Sequence, residues 1–162
     1  MKDAILELKA AIDELINTNV QSFDWNNKAA PDKWSAKEVI GHLIDSAQIN
    51  LQRFVRCTYE ENFKLTYEQV EWVAAQHYQN ADINDLLALW RSLNLQIIRV
   101  LDNYQPDRLW AMCDNSKTGI SQHTVGWLAH DYADHLKHHL KQVYNIQTSQ
   151  HNSGYGNGGT NK

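Results

Sequence analysis

The chain has 162 residues, a formal net charge of −4 and a pI near 6.0, enough for one domain with a single core and a poor match to a surface built for nucleic acid. No run of Lys and Arg offsets that balance and no stretch is apolar for long enough to span a bilayer, so neither nucleic acid nor membrane is an expected partner. The opening MKDAILELKAAIDELI reads as an amphipathic helix without the apolar centre or cleavage site of a signal peptide, and the expected location is cytoplasmic. Cys57 and Cys113 lack metal-motif spacing and the density of a disulfide scaffold, and read as ordinary thiols.

Only Pro31 and Pro106 interrupt the chain, and Leu, Ala, Ile and Gln recur at helical spacings, so the pattern predicts an all-α domain. A first helix over residues 2–18 follows from Ile5, Leu8, Ile12, Leu15 and Ile16. After a connection, Ser35 and Glu38 form a capping box that starts a second helix running to about Cys57. The segment 58–80 carries an irregular stretch and a short extra helix over 67–77 with Trp72 and Val73. Asp82 caps a helix over 83–103 whose Leu86, Leu87, Trp90, Leu93, Ile97 and Leu101 form a broad apolar stripe. Pro106 and the turn-rich CDNSKTG lead to a last helix from about Ser121 to Ile146, with Val125, Leu128, Tyr132, Leu136 and Val143 inward. The few alternating segments are too short to support a sheet. The reading is a four-helix bundle over residues 1–147, followed by a disordered tail over 148–162 that has little to bury.

The last helix places His135 and His139 four residues apart. At about 100° per residue, Leu128, Tyr132, His139 and Gln142 all fall within about 60° of His135, on the inward side. His130 and His138 fall outside that face, and His123 precedes the helix body. On the second helix His42 is rotated by more than a right angle from the stripe of Val39, Ile40, Leu43, Ala47, Leu51 and Phe54. It shares a mixed face with Glu38, Ser46, Ile49 and Arg53, with Asp45 nearby. Eight histidines in one chain produce an H-x-x-x-H spacing by chance fairly often. The inward pair together with a histidine off the apolar stripe of a separate helix points to a metal centre in a cleft between helix edges, open on one side. Three imidazoles leave a coordination position free, as catalytic zinc sites do.

Asp131 and Asp45 are candidate partners for the ligand rings, with a solvated helix charge as the alternative for each. Arg53 is a candidate anchor for an anionic cosubstrate or substrate, with an ordinary salt bridge as the alternative. Trp34, Tyr67 and Trp72 read as packing residues before substrate-stacking ones.

The segments DKWSAKEVIGHLIDSAQINLQRF, YEQVEW and DHLKHHLKQV resemble the DinB/YfiT-like superfamily, in particular its bacillithiol-S-transferase-like branch, over nearly the whole chain before the tail. In the family, one histidine follows the Trp-Ser/Thr helix start and two sit four apart on the last long helix; these fall on His42, His135 and His139. The resemblance implies a bundle of up-down-down-up connectivity, a divalent ion such as zinc or nickel held by three histidines, and a homodimer. It also implies transfer of a low-molecular-weight thiol to an electrophilic small molecule, with metal-dependent hydrolysis or a non-catalytic metal-binding dimer as alternatives. The family's name comes from damage-inducible expression and says nothing of DNA binding. The chain departs from the closest branch at Asp134, where an aromatic residue is common, and at Lys141 and Gln142, where a further histidine is common nearby. Those departures leave the triad intact and fall around it, where the substrate would be selected.

Overall fold

In the computed structural model, the backbone is described for residues 1–153 and the side chains for residues 1–148. Among the described residues five α-helices follow one another: α1 (Lys2–Asn17), α2 (Ala36–Arg56), α3 (Gln69–Gln76), α4 (Ile83–Asp102) and α5 (Val125–Ser153). The starts of α2 and α4 are set by side chains. Glu38 N donates to Ser35 Oγ at 3.1 Å while Ser35 N donates to Glu38 Oε2 at 2.7 Å, closing the capping box, and Asp82 accepts from Asn84 N at 2.7 Å. At its far end α5 runs on to Ser153, beyond the expected stop near Ile146, so the first residues of the expected tail are helical. Residues 154–162 of that tail lie outside the described residues.

Contacts between helices give the connectivity. Met1 N lies 3.3 Å from His130 Nε2 and Lys137 pairs with Glu7 at 2.7 Å, so α1 and α5 run parallel. Lys37 Nζ donates to Ala81 O at 3.1 Å and the Tyr104 hydroxyl to Phe54 O at 3.0 Å, so α2 and α4 also run parallel. Between α2 and α5 the order reverses: His42 meets His139 and Phe54 meets Tyr132. The bundle is therefore up-down-down-up, with α1 and α2 each packed against α4 and α5. Parallel neighbours cannot be joined by a tight turn, so residues 57–82 form a crossover between α2 and α4. That crossover carries α3 and a one-turn 3-10 helix, Tyr78–Asn80, which lie against α2.

A small sheet corrects the expectation of none. β1 (Phe63–Lys64) pairs in parallel with β2 (Met112–Asp114), and β2 pairs antiparallel with β3 (Gln122–Thr124). Strands of two and three residues leave no alternating signature long enough to read, yet their pairing joins the crossover to the connection between α4 and α5. The Asp114 carboxylate closes the turn by accepting from Ser116 N at 2.9 Å, Ser116 Oγ at 2.6 Å and Ser121 N at 3.2 Å. Because residues 122–124 are in this strand, α5 starts at Val125 and not at Ser121.

The core joins all four long helices, with Leu8, Ile40, Leu43, Phe54, Trp90, Ile97, Leu128, Tyr132 and Leu136 among its buried members. Every residue of α2 from Val39 to Ala47 is buried, so the helix is covered on all sides and not only along its apolar stripe. On the side of the crossover this needs Gly41, because a Cβ there would overlap the ring carbons of Tyr78. The substitution Gly41→Ala is expected to destabilise the fold by about 1–3 kcal/mol, as an overpacked core does, read as a lowered urea midpoint. An unchanged midpoint would mean that Tyr78 does not need this close approach.

Candidate metal centre

The antiparallel packing of α2 on α5 brings His42, His135 and His139 together, with ligand-capable nitrogens all within 4.8 Å of one another. His42 Nε2 lies 3.1 Å from His135 Nε2, and the rings meet edge to face with centroids 4.5–5.1 Å apart. Two imidazole nitrogens on one tetrahedral zinc ion, each about 2.0–2.1 Å from it, stand about 3.3 Å apart, so this pair is already at ligand spacing.

Outer contacts aim the rings. His139 Nδ1 is 2.9 Å from Gln142 Oε1, an acceptor, so Nδ1 carries the proton and Nε2 keeps its lone pair. His135 Nδ1 faces Ser46 Oγ at a longer 3.5 Å. His42 Nδ1 is buried without a hydrogen-bond partner among the described residues. Its ring is held between Trp34, at a centroid distance of 5.0 Å, and Tyr67, at 6.5 Å and nearly parallel. Trp72 stands edge-on to Tyr67 at 5.3 Å. The three aromatics thus form the wall of the site.

His42 is 1% exposed, whereas His135 and His139 are half-buried. His42 is therefore enclosed, and access is from the α5 side. A cavity of about 440 Å³ lies beside Gln142, lined also by Ala29, His138, Lys141, Asn145 and Ile146. Burial lowers the pKa of His42 to about 4, with a smaller effect from a charge on His139. Burial, followed by His139, His42 and His138, lowers that of His135 to about 3. That of His139 is lowered by burial, against a rise from its bond to Gln142. All three are neutral at pH 7, the form in which imidazole binds metal. The residues present therefore fit a divalent ion held by three nitrogens, a donor set that suits zinc, nickel, iron or copper.

The other candidates stand elsewhere. Asp45 is fully buried, but its Oδ1 accepts from the Tyr78 hydroxyl at 2.6 Å and from Gln76 Nε2, on the side of the crossover. Its Oδ2 has no partner among the described residues, and burial raises its pKa to about 6 against the pull of those two bonds. Asp131 is exposed, and no hydrogen bond joins it to His135 among the described residues; Ser46 occupies the place expected of it. Arg53 is 7% exposed and spends Nε and Nη2 on Leu65 O, at 3.2 and 2.8 Å, and Nη1 on Asn50 Oδ1 at 3.1 Å. It clamps the crossover; among the described residues no carboxylate hydrogen-bonds to it, while the Cys113 side chain shares a hydrogen bond with it and the Asp131 charge acts on it. Ser46 and Gln142 were the partners the sequence left unassigned, although both lie on the faces that carry the ligands. His138 is exposed, His130 meets the Met1 nitrogen, and His123 stacks on Trp127 at 3.7 Å.

The depressed histidine pKa values fix a pH dependence for the metal-free protein. Below pH 6.5 the unfolded chain takes up protons that the folded His42 and His135 refuse, so stability present above 6.5 is lost as pH falls towards 4. Asp45 acts in the opposite sense, because its raised pKa lets the folded state bind a proton first, and it offsets part of the loss. The urea midpoint is expected to be lower at pH 5 than at pH 7, and to change less in His42→Ala. Equal midpoints for the wild type would contradict the burial of neutral rings.

Residues 7–143 match the family model described as the DinB superfamily. The fold is similar to that of YfiT from Bacillus subtilis, described as a probable metal-dependent hydrolase with an unusual four-helix bundle topology. The two share 19% identity at a TM-score of 0.77, over 91% of this chain and 84% of that one, a likeness that establishes the fold. No curated protein matches the chain in sequence. No helix among the described residues is long and apolar enough to cross a membrane. The match along most of the chain, on an up-down-down-up bundle with three converging histidines, makes this protein a member of the DinB superfamily.

Proposed function

We propose that the protein is a metal-dependent enzyme that activates a low-molecular-weight thiol, of the bacillithiol type, for transfer to an electrophilic small molecule. The observation that carries this reading is the make-up of the cluster: three imidazoles and, among the described residues, no carboxylate. His42, His135 and His139 would hold the ion through Nε2, zinc or nickel being the ions we favour. When bound, such an ion would supply a Lewis acid that lowers the pKa of a coordinated thiol enough for its proton to pass to water at neutral pH. A thiol activated in this way needs no general base.

The chain's own residues keep the ligands neutral by burial and hold His139 and His135 from behind through Gln142 and Ser46. Trp34 and Tyr67 keep water from His42. Hydrolysis is the second reading, supported by the description of YfiT and by Asp45, whose pKa near 6 suits a proton acceptor. Against it, Asp45 Oδ1 is committed to Tyr78 and Gln76, which leaves only Oδ2, and among the described residues Asp131 makes no hydrogen bond to a ligand ring.

The test is to load the purified protein with zinc or nickel and follow conjugation of monochlorobimane with a panel of thiols. One ion per chain and metal-dependent conjugation are expected, with activity down at least about 100-fold in His135→Ala, since that variant removes a ligand. Tight metal binding with no turnover by any thiol would overturn the transferase reading. Metal-dependent cleavage of an activated ester without thiol would establish the second one.

A further inference from the structure

We propose that Arg53 is a positioning residue for His135, acting through Asn50 and Ser46, and that it ties the seating of the crossover to the metal centre. The inference rests on the metal reading of the triad. Arg53 is a buried, permanently charged side chain whose Nε, Nη1 and Nη2 donate to uncharged acceptors, the Leu65 carbonyl and the Asn50 amide oxygen, with the Cys113 side chain as a further neighbour. Such a charge is costly to bury, and it has a defined effect on its neighbour. An amide can present either its oxygen or its nitrogen to a given side, and the guanidinium, which can only donate, draws Oδ1 of Asn50 to itself. The Asn50 Nδ2 group is thereby turned to α2, where it donates to Ser46 O at 3.0 Å and to Ser46 Oγ at 3.4 Å.

Ser46 Oγ is in turn the group that faces His135 Nδ1 at 3.5 Å, and the Tyr67 hydroxyl shares a hydrogen bond with the same serine. Three side chains, Arg53, Asn50 and Ser46, thus form one line from the Leu65 carbonyl to the His135 ring. A second route reaches the same helix. Leu65 N donates to Asp114 O at 3.0 Å, and Asp114 lies in the strand that pairs with β3, which leads directly into α5. The crossover therefore meets His135 through side chains on one path and the start of α5 through the sheet on the other. By linkage, if a seated crossover favours metal binding, metal binding favours a seated crossover.

The experiment is a zinc affinity measured by chelator competition for the wild type, Ser46→Ala, Arg53→Met and the double variant, with amide exchange at Leu65 and Tyr67 before and after zinc. Each single variant is expected to lose about tenfold in affinity, as the loss of an outer partner does. The double variant should lose no more than the weaker-binding single one, because the two residues act in one line. Exchange at Leu65 and Tyr67 should slow on zinc binding in the wild type. Asn50→Ala cuts the line while leaving the Arg53 bonds to Leu65 in place, and it should lose a similar factor even if Arg53→Met fails to fold. An affinity within twofold of wild type for Asn50→Ala, or losses that multiply in the double variant, would overturn the inference with the metal centre standing. A wild type that binds no zinc would remove the metal reading itself, and the inference with it.

Discussion

Three uncharged imidazoles from two antiparallel helices have to share one buried space, and the rest of the architecture follows from that constraint. A proton on any of them would place a charge beside its neighbours in a poorly solvated site, and burial together with mutual repulsion holds the pKa values of His42 and His135 far below neutrality. The site is thus prepared for a cation and closed to protons. Enclosure of His42 requires α2 to be covered on its polar side as well as its apolar one. The crossover does this, bringing Tyr67 over the ring and Tyr78 against Gly41. The crossover exists because α2 and α4 run parallel, so the connectivity of the bundle and the enclosure of the site have one origin.

The groups around the ligands are neutral as well. Gln142 and Ser46 stand where carboxylates often stand behind metal-bound histidines, and Asp45 is turned to Tyr78 and Gln76. Neutral partners orient a ring without adding negative charge to it, so an ion held here would keep its full charge towards whatever binds in its open position. That property is what the proposed thiol chemistry draws on. Arg53, buried on the same helix, is spent on the crossover carbonyl and on Asn50.

Much of this was legible in the sequence. The capping signals at Ser35 and Asp82 placed two helix starts, and the helical wheel put His135, His139 and Gln142 on one side of α5. The parts that were not legible share a physical cause, which is that they depend on long-range pairing. Strands as short as Phe63–Lys64 have no period to detect, and the start of α5 shifted because of them. His42 read as lying on a mixed, partly covered face, and its full enclosure was not readable because the wheel registers only its own helix, whereas its cover comes from Trp34 and Tyr67 outside α2. Asp131 looked well placed one turn before His135, but a Ser46 hydroxyl from the facing helix reached the ring instead. Arg53 showed the same limit: its place on the His42 face was readable, and the Leu65 carbonyl that claims it was not.

The chemistry proposed for this protein requires that His42, His135 and His139 hold one metal ion. X-ray absorption at the metal edge of the zinc-loaded protein tests it most directly, because the spectrum reports the donor set around the ion. Three imidazole nitrogens are expected at about 2.0–2.1 Å with one or more light scatterers completing the sphere, and one imidazole contribution should be lost in His42→Ala. A sphere containing sulfur from Cys57 or Cys113, or one unchanged by that substitution, would contradict it.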